Sequence, residues 1–312
     1  MLKADEYSYW IALAHLPNWS TERKNTLIQA LITNQNGSIK DLFTDKLSDL
    51  KEVFSLSSRE YTDLSQLKNQ LSTTVDVAEK LIVEKVEVIL FGTPDYPTTL
   101  SNNLGAKYSP PLLYTKGNPQ LFFKNKVAVV GCRSVNERGV EFTIRIVGNS
   151  VRNSKVIVSG YARGVDRIAL DTSLEDNGSS IVVLPQGILT FASGLKKLAS
   201  GIARGRILVV STYPPQAGWS VGQAMGRNTY IYGLADEIFV AQADSKGGTW
   251  NGVLDGIKRG RKIFIRQTLP DERCANNELI TRGAIAVDAE GNIIASSKRN
   301  PESVNQKTLL QF

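Results

Sequence analysis

The chain has 312 residues, of which 42% are hydrophobic and 21% charged, a composition typical of a folded globular protein rather than a disordered one. No apolar run approaches the roughly 20 residues that a membrane helix needs, and the N-terminal stretch lacks the layout of a signal peptide, so we expect a cytoplasmic protein with no membrane partner. Two separate cysteines, Cys132 and Cys274, and one histidine, His15, argue against a metal site, a disulfide framework and histidine-based catalysis.

The net charge of +7 is distributed unevenly. Residues 126–283 carry 21 Lys and Arg against 13 Asp and Glu, whereas residues 1–125 carry 13 against 14. Such a basic region suits a polyanionic partner, because contacts to phosphates release counterions and so supply affinity. A solvated basic surface without a partner explains the charge equally well.

Residues 1–80 are predicted to form a small helical domain. Apolar side chains recur at helical spacing over residues 7–16, and Ser20 with the following Thr and Glu is typical of a helix N-terminus. Short helical segments are expected at 39–46 and 47–56. Residues 72–85 are predicted to form one more helix that leads out of this domain.

Residues 81–290 are predicted to form a second domain, with an extended lead-in over 81–125 and a tail at 291–312. A first strand is expected at 86–92, in the lead-in. Six more are short, continuous, β-branched runs that alternate with amphipathic segments: 127–131, 156–160, 180–185, 207–212, 237–242 and 262–266. Continuous apolar runs indicate strands buried on both faces. The fold class is therefore predicted to be α/β, a Rossmann-like, doubly wound, mostly parallel sheet with a small N-terminal helical domain.

Ligands of open parallel sheets bind at the carboxyl ends of the strands, so the loops after the strands are candidate sites. In the first loop, Gly131 allows close approach of the backbone and Arg133 can hold a phosphate through two parallel hydrogen bonds. The next helix is expected to begin near Asn136, with its free amides facing the same place. A tight turn with an exposed arginine is the plainer interpretation.

The second loop runs from residue 159 to residue 166. Its small residues and glycines, together with an arginine, are typical of an anion-binding nest: Ser159, Gly160, Arg163 and Gly164. Asp166 either caps the following helix or accepts a hydrogen bond from a sugar or a base edge. Capping is the commoner role.

Three further loops complete the candidate site. Gly187 follows the third strand of the series. Arg227 and Asn228 are expected near a helix start, where they suit phosphates and base edges, with helix capping by Asn228 as the alternative. Residues that precede another helix form a plausible phosphate cradle: Lys246, Gly247, Gly248 and Thr249. None of these loops is a G-x-G-x-x-G or G-K-[ST] motif, so no NAD, ATP or other cofactor is predicted.

In order, these motifs resemble those of the DprA/Smf family of DNA-processing proteins over roughly residues 5–290. The segments that carry the resemblance are 95–100 (DYPTTL), 110–118 (PPLLYTKGN), 130–133 (VGCR), 159–166 (SGYARGVD), 227–228 (RN) and 277–284 (NELITRGA). The resemblance implies a non-enzymatic protein that binds single-stranded DNA and loads a RecA-type recombinase in DNA uptake and recombination. It also implies a homodimer, with Arg133 and Arg227 as phosphate contacts.

Two other functions remain open at this point. The Gly247–Thr249 loop also resembles the phosphate-gripping loop of nucleotide phosphoribohydrolases, but the nearby acids include no evident carboxylate pair: Asp166, Asp171, Asp244 and Asp255. A nucleotide sensor that regulates a partner is the third hypothesis.

Overall fold

The computed structural model describes residues 4–33, 38–44, 46–68 and 71–294. These residues form twelve α-helices: α1 Ala4–Ala14, α2 Thr21–Thr33, α3 Leu47–Val53, α4 Ser58–Leu67, α5 Leu71–Val83, α6 Thr98–Tyr108, α7 Glu137–Arg152, α8 Val165–Glu175, α9 Ala192–Ala203, α10 Val221–Leu234, α11 Gly248–Lys258 and α12 Asn276–Thr281. They also form nine strands: β1 Glu87–Leu90, β2 Leu112–Gly117, β3 Lys126–Val130, β4 Val156–Ser159, β5 Ser180–Val183, β6 Ile207–Ser211, β7 Glu237–Val240, β8 Ile263–Arg266 and β9 Ile285–Val287.

All nine described strands belong to one sheet, in the order β1-β2-β6-β5-β4-β3-β7-β8-β9. The pairs from β6 to β9 are parallel, while β2 is antiparallel to both of its neighbours. The chain proceeds from β3 through β6 toward one edge and then returns to lay β7 on the other side of β3. The predicted doubly wound, mostly parallel sheet is thus confirmed.

Each central strand divides its side chains between two faces of the sheet. Val127 and Val129 of β3 pack with α7 and α8, whereas Ala128 and Val130 pack on the opposite face with α10 and α11. Every residue of β3, β4, β5 and β6 is buried. Burial on both faces explains why these strands are continuous apolar runs in the sequence.

The N-terminal helices pack against the face of the sheet that also carries α9, and their apolar side chains form one cluster with Val182 and Val209. His15 Nε2 lies 2.8 Å from the hydroxyl oxygen of Tyr114 on β2, and Asn25 donates to the carbonyl of Ser109 at 2.8 Å. The predicted N-terminal helices are confirmed at α1, α2, α3 and α5, and the amide of Arg23 donates to the Ser20 hydroxyl as expected of a cap. The segment predicted at 39–46 is a 3-10 helix over Ile39–Phe43, and residue 45 lies outside the described residues. The domain division near residue 80 stays a prediction, and residues 295–312 of the predicted tail lie outside the described residues.

Some elements were not predicted from the sequence, namely α4, α6, α9, α12 and β9. Helix α6 contains Gly105 at a φ of 65°, which interrupts its helical geometry. Strand β9 is three residues long and is recognisable through its pairing with β8. None of the helices in the described residues is long and apolar enough to cross a membrane.

Candidate nucleic-acid interface

A cleft of about 360 Å³ opens at the carboxyl ends of β3 and β7. These strands are neighbours in the sheet, and the chain continues from them in opposite directions. The cleft therefore lies at the topological switch point, where open α/β sheets bind their ligands. The fold thus places the strand-end loops around one concave surface.

Nine of the predicted site residues line this cleft: Gly131, Arg133, Asp166, Arg227, Asn228, Lys246, Gly247, Gly248 and Thr249. Of the others, Ser159 ends β4, while Gly160, Arg163 and Gly164 belong to the loop between β4 and α8, whose Ala162 lines the cleft. Gly187 lies elsewhere, packed against the backbone carbonyls of Pro214 and Pro215. The structure therefore brings most of the predicted residues together and separates Gly187 from them.

The loops after β3 and β4 touch each other through two glycines. A Cβ on Gly164 would lie 2.7 Å from Cα of Arg133, and a Cβ on Gly131 would overlap the side chain of Val165. The φ of Gly164 is +85°, a conformation that strains any other residue. Neither position has room for a side chain, so the glycines allow the Arg133 loop to rest on the start of α8.

A buried ion pair fixes the centre of the cleft. Nη1 of Arg227 donates to Oδ2 of Asp166 at 3.3 Å, and the two side chains are 5% and 9% exposed. The guanidinium of Arg227 occupies the space where a Cβ of Gly160 would be. Arg227 therefore joins α10 to the loop after β4.

Asp166 faces inward, and its environment affects its pKa in two directions. Burial raises the pKa of its carboxyl, while Arg227 and the backbone amides of Ala162 and Gly160 lower it. The expected capping role is wrong, because the N-cap of α8 is Gly164 and Asp166 lies within the first turn. The amides of this loop that were expected to bind an external anion are thus directed at an internal carboxylate.

Arg227 and Asn228 lie in the middle of α10 and not at its start, as the sequence had suggested. The helix begins at Val221 because Ser220 is the N-cap and accepts a hydrogen bond from the Gln223 amide at 3.2 Å. Asn228 therefore does not cap α10. Its side-chain amide donates to the carbonyl of Gly248 at 3.0 Å and so ties α10 to the start of α11.

The N-terminus of α11 faces the cleft without a side-chain cap. Its N-cap is Gly247, with a φ of +99°, and a Cβ there would meet nothing within 4 Å. Lys246 is exposed beside it. Uncapped amides, the positive end of the helix dipole and a lysine together favour an anion.

The exposed charges of the cleft are mixed but mainly positive. Arg133 and Lys246 line it and are exposed, and Asp244 is the exposed acid among its described lining residues. Arg163 is exposed on the adjoining loop. With Arg227 and Asp166 paired internally, Arg133 and Lys246 are the cations that solvent reaches among the described lining residues.

The cleft also has an exposed apolar rim that was not predicted from the sequence. Trp219, Val221 and Met225 line it and are 51%, 63% and 41% exposed. Tryptophan is rarely left this exposed, and an aromatic face next to cations is typical of single-stranded nucleic-acid sites. Recognising Ser220 as a helix cap would have placed these residues at the cleft.

Within the described residues, no group of His, Cys, Asp and Glu side chains could hold a metal ion. Cys132 and Cys274 are both free thiols, and burial is the main cause that raises the pKa of Cys132 to about 11. Its thiol therefore stays protonated near neutral pH.

The chain is similar to known proteins in both sequence and fold. A family model described as DNA recombination-mediator protein A matches residues 87–298. The chain is 32% identical over 204 residues to DNA processing protein DprA of Streptococcus pneumoniae, which covers 64% of this chain and 70% of that protein. It is 26% identical over 244 residues to DprA of Bacillus subtilis, with 75% and 80% covered.

Two solved structures share the fold. The crystal structure of Streptococcus pneumoniae DprA matches with a TM-score of 0.72 at 24% identity, over 93% of this chain and 97% of that chain. DNA processing protein A of Helicobacter pylori, studied for its mode of single-stranded-DNA binding, matches with a TM-score of 0.56 at 26% identity. The second match covers 65% of this chain and 90% of that chain.

Proposed function

Because the chain belongs to the DNA recombination-mediator protein A family, we propose that it binds single-stranded DNA across the cleft at the ends of β3 and β7. The observation that carries the proposal is the meeting of Arg133, Lys246 and the uncapped N-terminus of α11 at one concave surface. The Helicobacter pylori relative supports it, since that protein binds single-stranded DNA.

We assign the direct phosphate contacts to Arg133 and Lys246, whose side chains are exposed at the cleft. Arg163, exposed on the next loop, extends the same positive surface. Arg227 is 4% exposed and bound to Asp166, so its proposed part is to hold α10 against the loop after β4. This differs from the direct phosphate contact that the sequence suggested.

Trp219 is proposed to stack on a base. Its ring is half exposed and lines the same cleft as Arg133, together with Val221 and Met225. Stacking accepts every base and carries little sequence preference. Phosphate contacts and a stacking face in one cleft suit a single strand, whose bases are not already paired.

The remaining predicted properties are part of the same proposal. The protein acts without turnover, in the cytoplasm, as a homodimer that presents single-stranded DNA to a RecA-type recombinase in DNA uptake or recombination. The phosphoribohydrolase alternative is not favoured, because Asp166 is paired with Arg227 and Asp244 is the remaining acid among the described lining residues of the cleft.

The test is a titration of fluorescently labelled single-stranded, double-stranded and mononucleotide ligands at two salt concentrations. We expect single strands to bind most tightly and to weaken steeply as salt increases. Tighter binding of a mononucleotide, together with release of free base, would instead identify a nucleotide-processing enzyme.

A further inference from the structure

A second and larger hollow, of about 790 Å³, lies away from the cleft between the end of α5, strand β2 and the outer side of α9. We call it the α9 groove. None of its described lining residues lines the cleft that contains Arg133. Its floor is aliphatic, with Ile188 buried and Leu195 and Ile202 partly covered.

Helix α9 has one wide apolar side. Gly194 and Leu198 at its centre are buried against the sheet. Residues along one edge of this side recur at helical spacing and line the α9 groove: Ala192, Leu195, Ala199, Ile202 and Ala203. Leu195 and Ile202 also pack against the core cluster that contains Leu198, whereas the three alanines are exposed. A helix that packs on one face of a sheet normally presents polar residues to solvent, so this exposed apolar edge fits an interaction surface.

Lysines surround the apolar floor. Lys80, Lys85, Lys116 and Lys196 line the groove, against Glu84 as the acid among its described lining residues. Lys116 pairs with Glu84 at 3.1 Å, whereas Lys80, Lys85 and Lys196 form no ion pair with described residues. The groove therefore combines an aliphatic floor with a cationic rim.

We propose that the α9 groove binds an acidic, amphipathic segment of a partner protein. Aliphatic side chains of the segment would fill the floor, and its carboxylates would face the three unpaired lysines. Complementary charge increases the association rate and the specificity, while apolar burial supplies most of the affinity.

Charge and lining argue against two other occupants. Residues 295–312 of this chain carry Lys298, Arg299 and Lys307 against Glu302, so they would meet the lysines with like charge. Nucleic acid has the required sign, but the groove has no aromatic residue among its described lining residues on which bases could stack.

The probe is a fluorescein-labelled helical peptide with leucines at helical spacing and glutamates at the other positions, titrated with the full chain by anisotropy. Its control carries lysines in place of the glutamates. We expect the glutamate peptide to bind and the lysine peptide not to bind. Ala199→Glu, which fills the floor, and Lys196→Glu, which reverses the rim charge, should each weaken binding by about tenfold or more.

Lys197→Glu is the matched control, because Lys197 is the exposed neighbour of Lys196 and does not line the groove. It should leave peptide affinity within about twofold of the parent. Thermal melting of each variant shows whether weaker peptide binding comes from a changed groove or from unfolding of the protein. The groove shares no described lining residue with the cleft, so the Arg133→Ala variant should bind the peptide with the affinity of the parent chain.

Three results would overturn the inference. The first is a parent chain that does not bind the glutamate peptide. The second is an equal loss of peptide affinity in Lys196→Glu and Lys197→Glu, which would show that the peptide responds to the net charge of the protein and not to the groove. The third is displacement of the peptide by single-stranded DNA, which would make the groove part of the nucleic-acid path.

Discussion

The guanidinium of Arg227 lies on the backbone of Gly160, where any larger residue would place its Cβ. Arg227 is nearly inaccessible to solvent, so it cannot swing outward without breaking its bond to Asp166. The two positions are distant in the chain, yet the contact determines how α10 meets the loop after β4. We therefore expect binding at the cleft to depend on this contact, even though neither residue reaches far into solvent.

Gly160→Ala should therefore destabilise the protein and weaken DNA binding together. The added methyl group displaces Arg227 and separates it from Asp166, which we expect to cost about 2–4 kcal/mol of unfolding free energy. Urea unfolding measures this cost. Gly222→Ala is the control, since a Cβ at Gly222 meets nothing within 4 Å and the position is exposed on α10. Its stability should stay the same or increase by up to about 1 kcal/mol.

The ion pair itself can be tested by breaking it and by replacing it. Arg227→Met and Asp166→Leu should each cost about 3–5 kcal/mol, because each leaves one buried charge without its partner. The double variant should recover most of that loss, since two apolar side chains can pack together. Additive losses in denaturant unfolding would show that the two residues act separately.

The sequence predicted the central sheet because each strand is buried on both faces and so appears as a continuous β-branched run. It also predicted that the loops at one edge converge, which follows from parallel strands. It did not reveal the contact between Arg227 and Asp166, because a pairing across 61 residues depends on how two helices pack. The start of α10 was missed because Gly222 and Gly226 lower helix propensity in its first turns.

Trp219→Ala should weaken single-stranded-DNA binding by about 5- to 150-fold, which corresponds to about 1–3 kcal/mol for a lost base stack. The dependence of affinity on salt should not change, because the ring carries no charge. Trp219→Phe should retain most of the affinity. A Trp219→Ala variant with unchanged affinity at both salt concentrations would remove Trp219 from the DNA path.

Stability should decrease between about pH 6.5 and pH 4 because of His15. Burial, with a smaller contribution from Lys24, lowers the pKa of His15 to about 4 in the folded chain. The unfolded chain, with a pKa near 6.5, binds the proton more strongly, so protonation favours unfolding across this interval. We expect a loss of about 3 kcal/mol, measured by urea unfolding at several pH values. His15→Gln should remove this part of the pH dependence, and an unchanged profile in that variant would contradict the assignment.

The most direct test of the account is the effect of Arg133→Ala on the salt dependence of single-stranded-DNA binding. Loss of one phosphate contact should weaken binding and reduce the slope of log affinity against log salt by about one. Arg152→Ala is the matched control. Helix α7 begins beside the cleft, after the loop that follows β3, and Arg152 lies at its opposite end. An unchanged slope in Arg133→Ala, or an equal change in both variants, would contradict a DNA path across the ends of β3 and β7.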